Sequence, residues 1–144
     1  MTTTPKPVNK ILLPYAAIMV VLSIFAQVVV VMRGNQIDAI AGLGLVPAFV
    51  YYLYFQITSR ASLSRIRFGL LVSHVTAFLI VNLSYHIHAA ILTVQNINDT
   101  QGPDVALSAG WFGVLFAMFG MWGIGLLIHL IASIAMRGYE EVTV

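Results

Sequence analysis

The sequence predicts an all-α, polytopic integral membrane protein with four transmembrane helices in an antiparallel bundle. Three observations carry that expectation. Of the 144 residues, 60% are apolar and 8% charged, where soluble domains run at about 45–50% and about 25%. Mean hydropathy is +0.94. The apolar residues gather in four runs of about 20 residues or more, the length that crosses a hydrocarbon core. The runs are continuous rather than alternating, which disfavours a barrel, and a helix satisfies its own backbone in lipid.

This composition excludes an ordinary soluble enzyme, a disordered chain and a nucleic-acid binder. The pI of about 9.2 rests on seven basic and five acidic residues, too few for a basic binding surface. The chain has no cysteine, so disulfides, thiolate metal sites and Cys nucleophiles are excluded. The length leaves no room for a soluble catalytic domain beside four spans.

The first span, 11–32, is free of charge and carries Pro14 in its first turn, where proline costs little. Its apolar run is longer than that of a cleaved signal. The second, 39–57, holds Pro47, which should kink it and free a carbonyl near Leu43. Tyr51, Tyr52, Tyr54 and Phe55 cluster near its end and read as an interfacial anchor. The third, 68–94, contains His74, Asn82, His86 and His88. The fourth, 110–136, contains Trp122 and His129. A longer polar loop at 95–109 joins the last two, with Gly102-Pro103 as its turn signal. Asp99 and Asp104 there read as turn residues rather than calcium ligands. The pattern Asn98-Asp99-Thr100 reads as a chance sequon.

The chain thus divides into a tail (1–10), a first hairpin (11–57), a basic loop (58–67), a second hairpin (68–137) and a tail (138–144). Lys6, Lys10, Arg60, Arg65, Arg67 and Arg137 are six of the seven basic residues, and all fall on one side of this layout. Arg33 faces the other side with Asp38, Asp99 and Asp104. The positive-inside rule then places both termini in the cytoplasm of a multi-pass protein of the cell inner membrane.

Polar residues inside spans need partners, so each is a site hypothesis. In an antiparallel second hairpin, His74 and His129 come to one level, about 10 Å from the midplane at about 1.5 Å per residue. The same register sets Asn82 level with Trp122. Asn82 and His86 share a helix face, whereas His86 and His88 point to nearly opposite sides. Ala109, Gly113, Ala117, Met121, Gly125 and His129 recur every fourth residue, and their small members would permit close helix approach. Gln27, the strongly polar residue of the first span, should bond across a helix contact.

Several chemistries fit His74 and His129. They read either as neutral glue of the hairpin or as axial ligands of a haem b. A chlorophyll-type pigment, a quinone contact or a proton relay are further readings. A second haem level is missing, because the fourth span has no histidine near Leu115. His86 and His88 read as loop-packing or headgroup contacts. No His-Glu pair or third ligand at helical spacing suggests zinc, and no Ser-His-Asp arrangement or phosphate loop is present. Gly120-Met121-Trp122-Gly123-Ile124-Gly125 lies within a span, where glycine means close packing.

The second hairpin resembles the 2TM domain, a bacterial two-helix membrane module. The carrying residues are His74, Val81-Asn82, Trp111-Phe112 and the run Trp122-Gly123-Ile124-Gly125-Leu126-Leu127-Ile128-His129. The match spans 68–137. Met121 stands where the family pattern has glycine, Ser73 precedes the first histidine, and the connecting loop is longer. The resemblance implies a non-enzymatic module with a His–His and Asn–Trp core, found alone or attached to signalling proteins such as sensor kinases.

The resulting expectation is a non-catalytic accessory or sensory module that associates in the bilayer with other subunits or with itself. Its helix-pair polar core would be Asn82, Trp122, His86 and Gly125, with no metal and no nucleic acid. The alternative is a haem- or chlorophyll-bearing subunit of an electron-transfer or photosynthetic complex, with His74 and His129 as ligands. A small transporter or channel ranks last, because no intramembrane carboxylate or lysine is present.

Overall fold

The computed structural model describes residues 9–64, 68–98 and 107–137. Every regular element among them is helical: α1 (Asn9–Met32), α2 (Ala39–Leu43), α3 (Val46–Thr58), α4 (Arg60–Leu63), α5 (Gly69–Asn98), α6 (Ala109–Phe112), a π-helical stretch (Gly113–Met118) and α7 (Phe119–Arg137). Four segments are long and apolar enough to cross a membrane: Lys10–Met32, Ala39–Thr58, Gly69–Gln95 and Ala109–Ala135.

The two longest helices make the core. On α5, Ser73, Ala77, Val81, Tyr85 and Ala89 are buried, one every fourth residue and so along one face. On α1 the buried set is Tyr15, Met19, Ser23, Ala26 and Val30. Small side chains on both stripes let the backbones approach. The two faces meet in register. Tyr15 Oη donates to the Ser73 carbonyl (3.2 Å), Ser23 Oγ to Ser84 Oγ (2.8 Å), and His88 Nδ1 lies 2.8 Å from Gln27 Oε1.

Pro47 does act on the second segment, but the interruption falls earlier than the proline itself. The chain breaks at Gly44–Leu45, where Gly44 N–H reaches the Ala41 carbonyl and Leu45 N–H that of Gly42, both at 3.1 Å. Pro47 then sits in the first turn of α3, where its missing donor is not needed. The break also lets α2 lie close to α1: a methyl added at Gly44 would come within 3.2 Å of Val29.

The connection between α1 and α2 is well built. After α1 the chain turns through Gly34 (φ 67°) and Asn35 (φ 61°), a left-handed pair that glycine and asparagine tolerate. Asp38 then caps α2, its carboxylate accepting from the Ala41 N–H at 2.8 Å. Arg33 donates to the same carboxylate at 2.6 Å. The Ala41 backbone donor, followed by the Arg33 side chain, holds the Asp38 carboxyl below its usual pKa.

The fourth segment contrasts with the rest. Its most apolar window contains no buried residue, against 28%, 22% and 33% in the first, second and third. Trp111 at its start is its one buried side chain among the described residues. The π-helical turns at Gly113–Met118 have no marker in the sequence; their hydrogen bonds span one residue more than those of an α-helix. Lys6, Arg65, Arg67, Gly102, Pro103, Asp99 and Asp104 lie outside the described residues, as does the tail 138–144.

Candidate functional site

The polar groups of the helices sort into two clusters at opposite ends. The first is built where α3, α5 and α7 converge. His74 and His129 come together, their rings stacked with centroids 4.3 Å apart and planes 20° off parallel. Tyr52 Oη hydrogen-bonds His74 Nδ1. Trp122 closes the cluster, edge-on to Tyr52 at 6.0 Å and to Phe78 at 6.1 Å. Beside it, Gln56 Nε2 donates to Ser73 Oγ at 2.9 Å, and Tyr15 stacks on Phe55 at 3.9 Å.

This geometry bears on the haem reading. Two axial imidazoles lie on opposite faces of a porphyrin, separated by its plane. Here the rings lie face to face in van der Waals contact, and Tyr52 occupies one nitrogen of His74. No slot for a macrocycle separates them, so these two side chains do not fit the role of paired ligands as they stand. Nor do the described residues contain a group of three metal-binding side chains.

Asn82 and Trp122 are not joined by a hydrogen bond. The Asn82 amide turns back on its own helix and donates to the Phe78 carbonyl at 2.9 Å. Its buried Oδ1 has no partner among the described residues, a costly state for a polar atom in an apolar surrounding. His86 also bonds locally, Nδ1 lying 2.8 Å from the Asn82 carbonyl, and its ring meets Phe119 of α7. Gly125 makes no helix contact among the described residues: a methyl added there would meet nothing within 4 Å, and the same holds at Gly113 and Gly120. The reason is rotation, which depth along a helix does not fix.

The second cluster sits at the other end of α1 and α5. Ser84 Oγ accepts from Ser23 Oγ and from Gln27 Nε2 (3.0 Å) and donates to the Val81 carbonyl (2.7 Å), which uses the full capacity of a hydroxyl. Gln27 passes on to His88, and His88 Nε2 lies 3.2 Å from Asn35 Oδ1. The Asn35 carbonyl accepts from the Trp111 indole at 2.8 Å. His88 is thus a structural link between α1, the turn and α6, rather than a headgroup contact.

Sequence reasoning missed two residues. In sequence Tyr52 resembles an interfacial anchor like its aromatic neighbours; Tyr54 is exposed, but Tyr52 and Phe55 are buried. Their spacing with Ala48 marks one inward face of α3. Asn35 carried no signal beyond its turn-forming tendency.

Compared with protein-family profiles, curated proteins and solved structures, the chain matches none.

Proposed function

We infer that the chain is a non-catalytic accessory or sensory module of the cell inner membrane, which associates through α7 with other membrane helices, either a second copy or a different subunit. The four apolar segments would span the bilayer as an antiparallel bundle with both termini cytoplasmic. The residue pairings support that order, since Tyr15, Ser23 and Gln27 meet rising positions on α5, whereas His74 and Phe78 meet falling positions on α7. The likeness of 68–137 to the 2TM domain belongs to the same reading.

The single observation behind it is the uncovered state of the fourth segment. Gly113, Gly120 and Gly125 open onto empty space there, and small residues in lipid-embedded helices are enriched where another helix packs. His129 stacks on His74 through one ring face and is otherwise exposed, and a polar ring in a membrane span calls for partners.

Solubilisation in mild detergent followed by light scattering tests the reading. The protein mass should exceed the 15.7 kDa of one chain, through self-association or a copurifying subunit. A strictly monomeric particle, alone under conditions that keep it folded, contradicts it.

A further inference from the structure

The fourth segment is held at two places, with irregular turns between them. At its start, the Trp111 indole donates to the Asn35 carbonyl at 2.8 Å, and Gly110 lies close against the Ile37 backbone. Toward its far end, His129 stacks on His74 with centroids 4.3 Å apart. Phe119 and Trp122 add ring contacts with Phe78 and Tyr52 along the way. Between the pinned start and the stack lie the π-helical turns Gly113–Met118, an irregularity that within helices frequently marks functional positions. A helix pinned at one end can swing about that end once its other attachment lets go.

That other attachment is made of two bases. Two neutral imidazoles, or one neutral and one charged, can lie face to face, whereas two imidazolium rings in contact repel. One proton has a place: Tyr52 Oη, already bonded to His74 Nδ1, can accept from that ring once it is charged. A second proton has none. The further titratable groups of α1 and α3 near this end are the phenols of Tyr15 and Tyr51, which stack with each other and carry no charge in acid. Lys10 begins the first segment, Arg60 begins α4 and Arg137 ends α7, so the fixed charges at this end are positive. The one carboxylate among the described residues, Asp38, is at the opposite end, paired with Arg33. His86 of α5 is the other base against α7, through Phe119. His129 is exposed and His74 half-buried, so protons reach the pair through His129, and a charged ring on a span is drawn toward water and headgroups.

We propose that the His74–His129 stack is an acid-released latch: when both rings carry a proton, the end of α7 parts from α3 and α5 while its start stays pinned. Histidine is the side chain whose charge changes near neutral pH, and a bistable contact between elements is what such a charge change can bias. The signal is acidity on the side of the bilayer where residues 9 and 137 lie, and the response uncovers Tyr52 and Trp122. The latch uses the inner side of α7 and stands whether or not a partner covers its outer face.

The chain has no cysteine, so spin labels can be placed at will on the full chain in phosphatidylcholine nanodiscs. Leu13→Cys on α1 and Ile131→Cys on α7, 69% and 59% exposed, report the latched end. Met32→Cys and Phe112→Cys, 80% and 54% exposed, report the pinned end. Pulsed dipolar spectroscopy is run from about pH 8 to about pH 5, on either side of the ordinary imidazole pKa of about 6.5. The latched-end pair should gain a longer distance as pH falls, its ratio of open to closed rising about tenfold per pH unit for one extra proton taken up on opening. The pinned-end pair should keep one distance throughout. His129→Phe, which keeps a stacking ring and cannot take a charge, should stay closed at the acid end. His86→Phe should open as the parent does. The proposal is overturned if the parent gives one latched-end distance at both pH limits, if His129→Phe opens like the parent, if His86→Phe abolishes the opening, or if both label pairs lengthen together.

Discussion

The α1–α5 pair and the fourth segment have the same raw composition and opposite surroundings. Both are long, apolar and nearly uncharged. The first pair is stitched by Tyr15, Ser23, Gln27, Ser84 and His88 along its length. The fourth segment touches the rest through a few rings, chiefly His129, Trp122 and Phe119, and is pinned at its start. In lipid, apolar surface gains little from leaving one apolar solvent for another, so helix pairing depends on close packing and polar contacts. The contrast teaches that hydropathy identifies candidate spans, whereas the placement of a few polar and small residues decides which of them pack together.

The comparison breaks most sharply at Gly110. A methyl there would come to 2.3 Å from the Ile37 carbonyl oxygen, a rigid backbone atom, so Gly110→Ala should detach the start of α6 from the turn. A loss toward the upper end of about 1–3 kcal/mol is expected for such overpacking, read by denaturant-induced unfolding in mixed micelles. An unchanged midpoint would mean that the fourth segment is not anchored there.

Next in size is Ser84→Ala, which leaves Ser23 and Gln27 without their shared acceptor. A cost of about 1–2 kcal/mol is expected, and the double variant with Ser23→Ala should cost less than the sum of the two single changes. Additive losses would show that the stitching is not a network.

Gly125→Ala sharpens the other half of the comparison. With open space around it, the new methyl should raise helix stability by about 0.5–1 kcal/mol in the isolated chain. Any partner packed on that face would be pushed away, so the same variant should lower the associated fraction in light scattering. A stability loss in the monomer would place Gly125 at an intramolecular contact instead.

The smallest effect belongs to Asp38. Its carboxyl pKa is lowered in the folded chain by the Ala41 backbone N–H and then by Arg33. The stabilising contribution is therefore full above the ordinary carboxylate pKa and fades as pH falls through the lowered folded value. Asp38→Ala should remove this acid-limb dependence and leave stability at neutral pH slightly reduced. A parental acid limb in the variant would assign it to other groups.

Much of the fold was legible, for reasons that particular residues show. The four apolar runs were evident, and counting along a hairpin brought His74 and His129 to one level. Rotation was not legible: Asn82 turned to its own helix, Gly125 faced outward, and Tyr52 faced inward among aromatics of identical local appearance. The break at Gly44–Leu45 was only half signalled by Pro47, because proline says that a donor is missing and not where the chain will yield. The π-helical turns at 113–118 have no local composition that sets them apart. A lone glutamine in an apolar span signals a bond across a helix contact, but the partners of Gln27, Ser84 and His88, follow from rotation.

The central claim is that the open face of α7 meets another protein, while the exposed face of α1 meets lipid. A photo-crosslinking amino acid placed at Met121, Ile124 or Ile128, compared with Val21 or Ile24, tests it in native membranes; all five positions are more than 50% exposed. The account predicts protein adducts from the α7 positions and lipid adducts alone from the α1 positions. Protein adducts absent from α7, or equally frequent from α1, would contradict it.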